Sequence, residues 1–237
     1  MRIDVYPKFS KLIDSRVSGR TVIVIDVLRS STSIIWAVKN GAGKIIPATD
    51  AGEAATILSK LDSPDVVLAG EIGGVKHPDF HIGNSPSEFS PEVVANKTIV
   101  ISTSNGTKVI NGAKGAKSVL IGGMINMSAV AKRVAKSNDD VLIICAGTDD
   151  EISADDLCAA GAIIDAIHKT YDGKIEQSDM AFVCQSLYKS WDKGSLDLSK
   201  TTHWSRLVEL GFQDDIKFCF SKDVTDVVPE YINGVIE

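Results

Sequence analysis

Four polar stretches of this chain each follow directly on an apolar run, and they carry the residue types that could do chemistry. The first is Asp26, Arg29 and the hydroxyl series Ser30, Ser31, Thr32 and Ser33, after the run at 22–25. Backbone N–H groups at a helix start, short hydroxyls and a planar guanidinium together suit a phosphate or sulfonate. The competing reading is an N-cap by Ser30 or Ser31 beside a surface arginine.

The second stretch, residues 70–88, offers Glu71, Lys76, His77, His81, Asn84 and Ser85 among several glycines and prolines. That composition predicts a long irregular loop, and such loops are commonly functional. His77 and His81 have the spacing of a helical metal pair, but Pro78 argues against a helix there, so hydrogen-bonded or solvated histidines are expected. The third, Thr103, Ser104, Asn105, Gly106 and Thr107, repeats the first without charge; its Asn-Gly step allows a tight turn and close approach to an anion. The fourth, residues 146–156, holds Thr148 and the pair Asp155 and Asp156, where Ser153 with Asp156 also resembles a capping box.

Known catalytic patterns narrow the choice. The chain has no G-x-x-x-x-G-K-[ST] nucleotide loop, no G-x-S-x-G elbow and no cysteine six residues before an arginine, and Asp26 lacks a second aspartate two residues on. Carboxylates at strand ends beside anion cradles remain: Asp26, Glu71, Asp155 and Asp156. Oxygen ligands without clustered thiols favour a hard cation such as Mg²⁺.

Positioning these residues requires strands that end together. Residues 21–48 and 98–123 both read as apolar strand, Ser/Thr-rich turn, short helix, Asn-Gly-Ala stop and apolar strand, an internal β-loop-α-β repeat. Residues 141–168 open the same way and run into a long helical pattern. Helices are expected at 50–61, begun by the cap pair Asp50 and Glu53, at 126–137 and near 178–190; strands are expected near 66–69, 216–220 and 224–228. The alternation predicts an α/β protein with helices on both faces of a mixed, mostly parallel sheet. In such sheets ligands bind beyond the carboxyl ends of the strands, where Asp26 to Ser33 would lie.

The bulk properties agree with a globular enzyme or binding module. At 237 residues, with 44% hydrophobic and 24% charged residues, the chain suits a single α/β domain over 1–237, or two fused halves of about 1–95 and 96–237. A net charge of −6 argues against nucleic acid as a partner. No apolar run is long enough for a membrane span and the first ten residues lack a signal-peptide segment, so a cytoplasmic location is expected, with no membrane partner. Cys145, Cys158, Cys184 and Cys219 are scattered and expected as reduced core thiols. The oligomeric state is open, a homo-oligomer included.

Taken together, "VIDVLRSSTS", "GEIGGVK" with "FHIGNSPSE", "STSNGT" and "AGT" with "DDLCAAG" resemble, in order and at compatible spacing, the 2-phosphosulfolactate phosphatase (ComB) family over about residues 20–165. The resemblance implies a three-layer α/β/α fold. It also implies a Mg²⁺-dependent phosphatase that converts 2-phosphosulfolactate to 3-sulfolactate and phosphate in coenzyme M biosynthesis. On that reading some of Asp26, Glu71, Asp155 and Asp156 hold the metal and do the catalysis. Arg29, Lys76 and the two cradles, with Asn84, Ser85 and Thr148, bind a small anionic phosphorylated substrate. The family's acidic residue before Gly-Asn-Ser-Pro is His81 here, its second cradle threonine is Ser104, and its Glu-Asp pair is Asp155-Asp156. The alternatives are a phosphatase of another small phosphorylated hydroxy acid, a phosphoaspartate mechanism on Asp26, or a module that binds a small polyanion without turning it over.

Overall fold

The structure is a computed structural model that describes residues 1–9, 14–61 and 63–237. In chain order the first elements are β1 (Arg2–Tyr6), α1 (Asp14–Val17), β2 (Thr21–Ile25), α2 (Ser30–Lys39), β3 (Lys44–Ala48), α3 (Ala51–Leu61), β4 (Val66–Ile72) and β5 (Val75–Lys76). Next come α4 (Pro91–Val94), β6 (Thr98–Ser102), α5 (Gly106–Gly112), β7 (Ser118–Ile121), α6 (Met127–Ser137) and β8 (Val141–Cys145). The chain ends with α7 (Ala154–Thr170), β9 (Glu176–Gln177), α8 (Asp179–Asp192), α9 (Thr202–Glu209), α10 (Gln213–Cys219), β10 (Tyr231–Ile232) and β11 (Val235–Ile236).

The strands of the described residues form two sheets. One, in the order β7-β2-β8-β1-β9, is parallel throughout; the other, β10-β11-β3-β6-β4-β5, is parallel at its centre and antiparallel at both edges. Both sheets draw strands from either side of residue 95. Alternate residues of the first sheet, such as Ile23, Ile25 and Ile143, pack on α6, α7 and α8, while Val22, Val24 and Ile144 face the opposite way. There they meet α2 and α5, whose other sides rest on Ile45, Ile99 and Ile101 of the second sheet. The far face of that sheet, Leu68 and Val100, is covered by α3. Each sheet is thus the middle of an α/β/α sandwich, and the two sandwiches share the α2/α5 layer.

The internal repeat explains this sharing. In the first unit β2 lies in one sheet and β3 in the other; in the second unit β6 and β7 occupy them in the reverse sense. So β2 pairs with β7 and β3 with β6, each in parallel, and the two units interlock. A helix held between two sheets has no solvent face, which is why Ser30 to Ile35 are all buried.

Most expected elements are present, with the helices at 51–61, 127–137 and 179–192 close to their predicted bounds. The cap of α3 is formed as expected: Glu53 N–H donates to Asp50 Oδ1 at 2.8 Å, and the Glu53 carboxylate accepts from Thr49 N–H at 2.7 Å. Residues 216–220 are a correction, because α10 covers Gln213–Cys219. The alternation of Ile216, Phe218 and Phe220 imitates a strand, but Asp214 and Asp215 stabilise a helix start, and Ile216 and Cys219 bury one helical face. Residues 224–228 carry no strand either; single hydrogen bonds, Thr225 N–H to Ile125 O and Asn126 Nδ2 to Val227 O, hold them instead. Part of the expected loop at 70–88 is a hairpin, since β4 runs on to Ile72 and pairs with β5. Gly70 permits it: a Cβ there would lie 1.8 Å from Ser102 O of β6. All four cysteines are buried free thiols. Among the described residues no helix is long and apolar enough to cross a membrane.

Candidate active site

The carboxyl ends of β2, β4 and β6, the loop after β8 and helix α9 converge on one small cavity. Asp26, Arg29, Glu71, Asn84, Ser104, Asn105 and Thr148 line it, so the four stretches all reach one place. Asp26 is buried where β2 ends. Its main chain is fixed by Ser31, whose N–H donates to Asp26 O at 2.9 Å and whose hydroxyl accepts from Asp26 N–H at 3.0 Å. Burial, followed by the negative charges of Glu71 and Asp155, pushes the Asp26 carboxyl up to about 7, with His203 and the Ser30 amide pulling the other way. A Cβ on Gly106 would fall 2.5 Å from Ser30 Oγ and 2.7 Å from Asp26 Oδ2, so the start of α5 can close on Asp26 only through a glycine.

Glu71 is held by the second cradle and by its own hairpin turn. Ser104 N–H donates to Oε1 at 2.7 Å, and Gly74 N–H and Ser104 Oγ donate to Oε2 at 2.5 and 3.2 Å. Arg29 is 3% exposed; it donates to Asp215 Oδ2 at 2.7 Å and to Gly74 O at 2.6 Å, with its guanidinium 3.9 Å from the centroid of the Phe212 ring.

Asp155 and Asp156 stand behind the cavity wall. Asp156 accepts from Val27 N–H at 2.9 Å and Gly147 N–H at 3.0 Å, tying α7 to the ends of β2 and β8. Burial and the neighbouring carboxylates Asp155 and Asp26 raise its carboxyl well above the ordinary range. The capping box of Ser153 and Asp156 is therefore not formed: Ser153 Oγ donates to Asp155, and Asp156 reaches the strand ends instead. Asp155 Oδ2 lies 3.0 Å from His203 Nδ1.

Other candidate residues lie beside the cavity rather than on it. The Thr32 hydroxyl donates to Val27 O at 2.9 Å, and Thr103 and Thr107 bond one another across the turn before α5. Lys76 and Ser85 line an adjoining groove that shares Arg29 and Asn84 with the cavity. His81 Nδ1 accepts from Leu68 N–H at 2.9 Å and His77 Nδ1 from Asp79 N–H at 3.2 Å, as hydrogen-bonded rather than helical metal-binding histidines.

Sequence reasoning missed the cavity residues Asp149, His203, Arg206 and Leu207. Arg206 donates to Asp149 at 2.9 Å and to Gly73 O at 3.0 Å. His203 and Arg206 sit three residues apart on α9, a spacing that puts two basic side chains on one helix face and was the one available signal.

The profile of the 2-phosphosulpholactate phosphatase family matches residues 8–234. The chain belongs to this family. It is similar over its whole length to a probable 2-phosphosulfolactate phosphatase of Caldanaerobacter subterraneus subsp. tengcongensis, at 37% identity over 237 residues covering 98% of that protein. Proteins with the same name from Clostridium novyi and Clostridium kluyveri are each 38% identical, over 98% and 100% of this chain and 97% and 98% of their own. Membership in the 2-phosphosulfolactate phosphatase family accounts for the order of the four stretches, and the fold accounts for their convergence.

Proposed function

We propose that this chain hydrolyses 2-phosphosulfolactate to 3-sulfolactate and phosphate with the help of Mg²⁺, in the cytoplasm, as a step of coenzyme M biosynthesis. The enzyme class, phosphoric monoester hydrolase, comes with the family. The observation that carries the reading is the charge arrangement of the cavity: Asp26, Glu71 and Asp149 face it together with Arg29, His203 and Arg206. Three basic side chains suit a substrate with phosphate, sulfonate and carboxylate groups, and the carboxylates suit a cation between protein and phosphate.

Among the described residues no three His, Cys, Asp or Glu side chains form a ready-made metal cage. Mg²⁺ does not need one, since it commonly takes one or two carboxylates plus substrate oxygens and water. Asp26 fits that role because its carboxyl is buried on the cavity beside other carboxylates, and Glu71 lies on the cavity as well. Asp155 and Asp156 stand behind the cavity wall rather than on it, with their oxygens on protein donors. When bound, the cation would offset charge on the phosphoryl oxygens.

The chain's own residues do the rest. Arg29 and Arg206 bind and orient the anionic groups, and Asn105 adds a polar side chain from the second cradle. With Nδ1 on Asp155, His203 Nε2 has no hydrogen-bond partner among the described residues, and a proton held there can pass to the oxygen that leaves phosphorus. Phosphate release from 2-phosphosulfolactate tests the whole reading. Turnover with Mg²⁺ that stops on chelation supports it; binding without turnover in Mg²⁺ would make the protein a polyanion-binding module.

A further inference from the structure

Arg29 is a buried cation whose direction is set from outside the catalytic cavity. Its Nη1 donates to Asp215 Oδ2 at 2.7 Å, and the other oxygen of the same carboxylate accepts from Ser85 Oγ at 2.5 Å. Asp215 is 7% exposed, belongs to α10, and lines the groove on the far side of Arg29 from Asp26. Phe212, at the start of the same helix, covers the guanidinium plane. One carboxylate and one ring from α10 thus fix both the in-plane direction and the plane of the guanidinium, while Gly74 O takes a second N–H at 2.6 Å. These two hydrogen bonds use two of the five N–H donors of the guanidinium.

From this geometry we infer that Asp215 is a positioning residue for anion binding: it aims Arg29 at the substrate, and does so together with Phe212 without itself lining the catalytic cavity. The inference rests on the phosphatase reading only for the identity of the substrate. Without Asp215, Arg29 loses its counter-ion and its fixed direction, and a flexible arginine must be ordered anew at each binding event. Because Asp215 acts through Arg29, its removal should matter only while Arg29 is present.

A double-mutant cycle tests this. Arg29→Ala, Asp215→Ala and the double variant are compared on kcat/KM for 2-phosphosulfolactate, and separately on the dissociation constant of inorganic phosphate by calorimetry. Each single change should weaken kcat/KM by about 10- to 100-fold, the scale of one charge-assisted hydrogen bond. The double variant should be no worse than Arg29→Ala alone. Asp215→Asn, which keeps an acceptor in place, covers the case in which Asp215→Ala does not fold, and should lie between wild type and Asp215→Ala. Multiplying losses, or an Asp215→Asn protein of wild-type stability and wild-type kcat/KM, would overturn the assignment. If the wild type binds phosphate but turns nothing over, the phosphatase reading fails, and the cycle on phosphate affinity alone judges Asp215.

Discussion

Asp155 Oδ2 and His203 Nδ1 lie 3.0 Å apart, although 48 residues separate them along the chain. The carboxylate is almost wholly buried, so the pair orients an imidazole at the cavity wall and favours its charged form.

This pair predicts an alkaline limit to activity. Burial opposes the charge on His203, but the hydrogen bond and charge of Asp155, with Asp26 beyond it, prevail and raise the pKa above 6.5. The protonated form is therefore favoured in the folded protein: its contribution is complete below about 6.5 and is lost as pH rises through the folded value. If His203 Nε2 supplies the proton to the leaving oxygen, kcat falls over that same rise. His203→Gln should lower kcat by about 10²–10⁴-fold and remove the alkaline limb; a limb unchanged in that variant would take His203 out of proton transfer. NMR titration of the His203 ring protons in metal-free protein measures the pKa directly.

Asp26 predicts how stability and metal are coupled. A carboxyl raised from 3.8 to about 7 means that the folded state holds a proton the unfolded chain has released. Stability should therefore fall as pH rises between those values and level off above. Asp26→Asn removes the buried charge and should stabilise metal-free protein at pH 8 by on the order of 2 kcal/mol while abolishing most activity. Mg²⁺ should raise the Tm of wild type at that pH, reversibly with chelator, and leave Asp26→Asn unmoved. A Tm response equal in both proteins would remove Asp26 from the metal site.

Gly106 offers a steric test. Any Cβ there meets Ser30 Oγ and Asp26 Oδ2 well inside contact distance, so Gly106→Ala should cost about 1–3 kcal/mol through displacement of α5 or Asp26. Chemical denaturation gives the stability change, and phosphatase activity should fall further than that change explains. Equal stability and activity to wild type would show that the two helix starts have room to spare.

The remote anion can be tested by omission. Phospholactate lacks the sulfonate, so it should be turned over with a lower kcat/KM than 2-phosphosulfolactate, because binding energy from a non-reacting group can be used at the reacting centre. Arg206→Ala and Asn105→Ala should narrow the gap, by about 10-fold or more for the arginine. Equal slowing of both substrates by both variants would mean that these side chains do not distinguish the sulfonate.

Several features were legible before folding. The apolar runs at 22–25, 66–69 and 141–145, the repeat at 21–48 and 98–123 and the Asp50–Glu53 cap are local patterns, decided by side-chain alternation and short-range hydrogen bonds. So was the convergence of Asp26, Glu71, Ser104 and Asn105, because residues after buried parallel strands emerge at one edge. Three-dimensional packing decided the rest. Nothing within 21–48 states that its two strands enter different sheets, since that depends on which edges find partners in the second unit. Likewise His203, Arg206 and Asp215 look like ordinary charges on amphipathic helices until α9 brings the first two to the cavity and α10 sets Asp215 against Arg29. The residue types were set locally, but their partners lie far along the chain: Asp155 with His203, Arg29 with Asp215 and Asp156 with Val27. Sequence alone therefore determined which groups could carry an anion and a cation. The tertiary structure decided which of them share one cavity, because desolvation and hydrogen-bond geometry exist only once distant segments exclude water together.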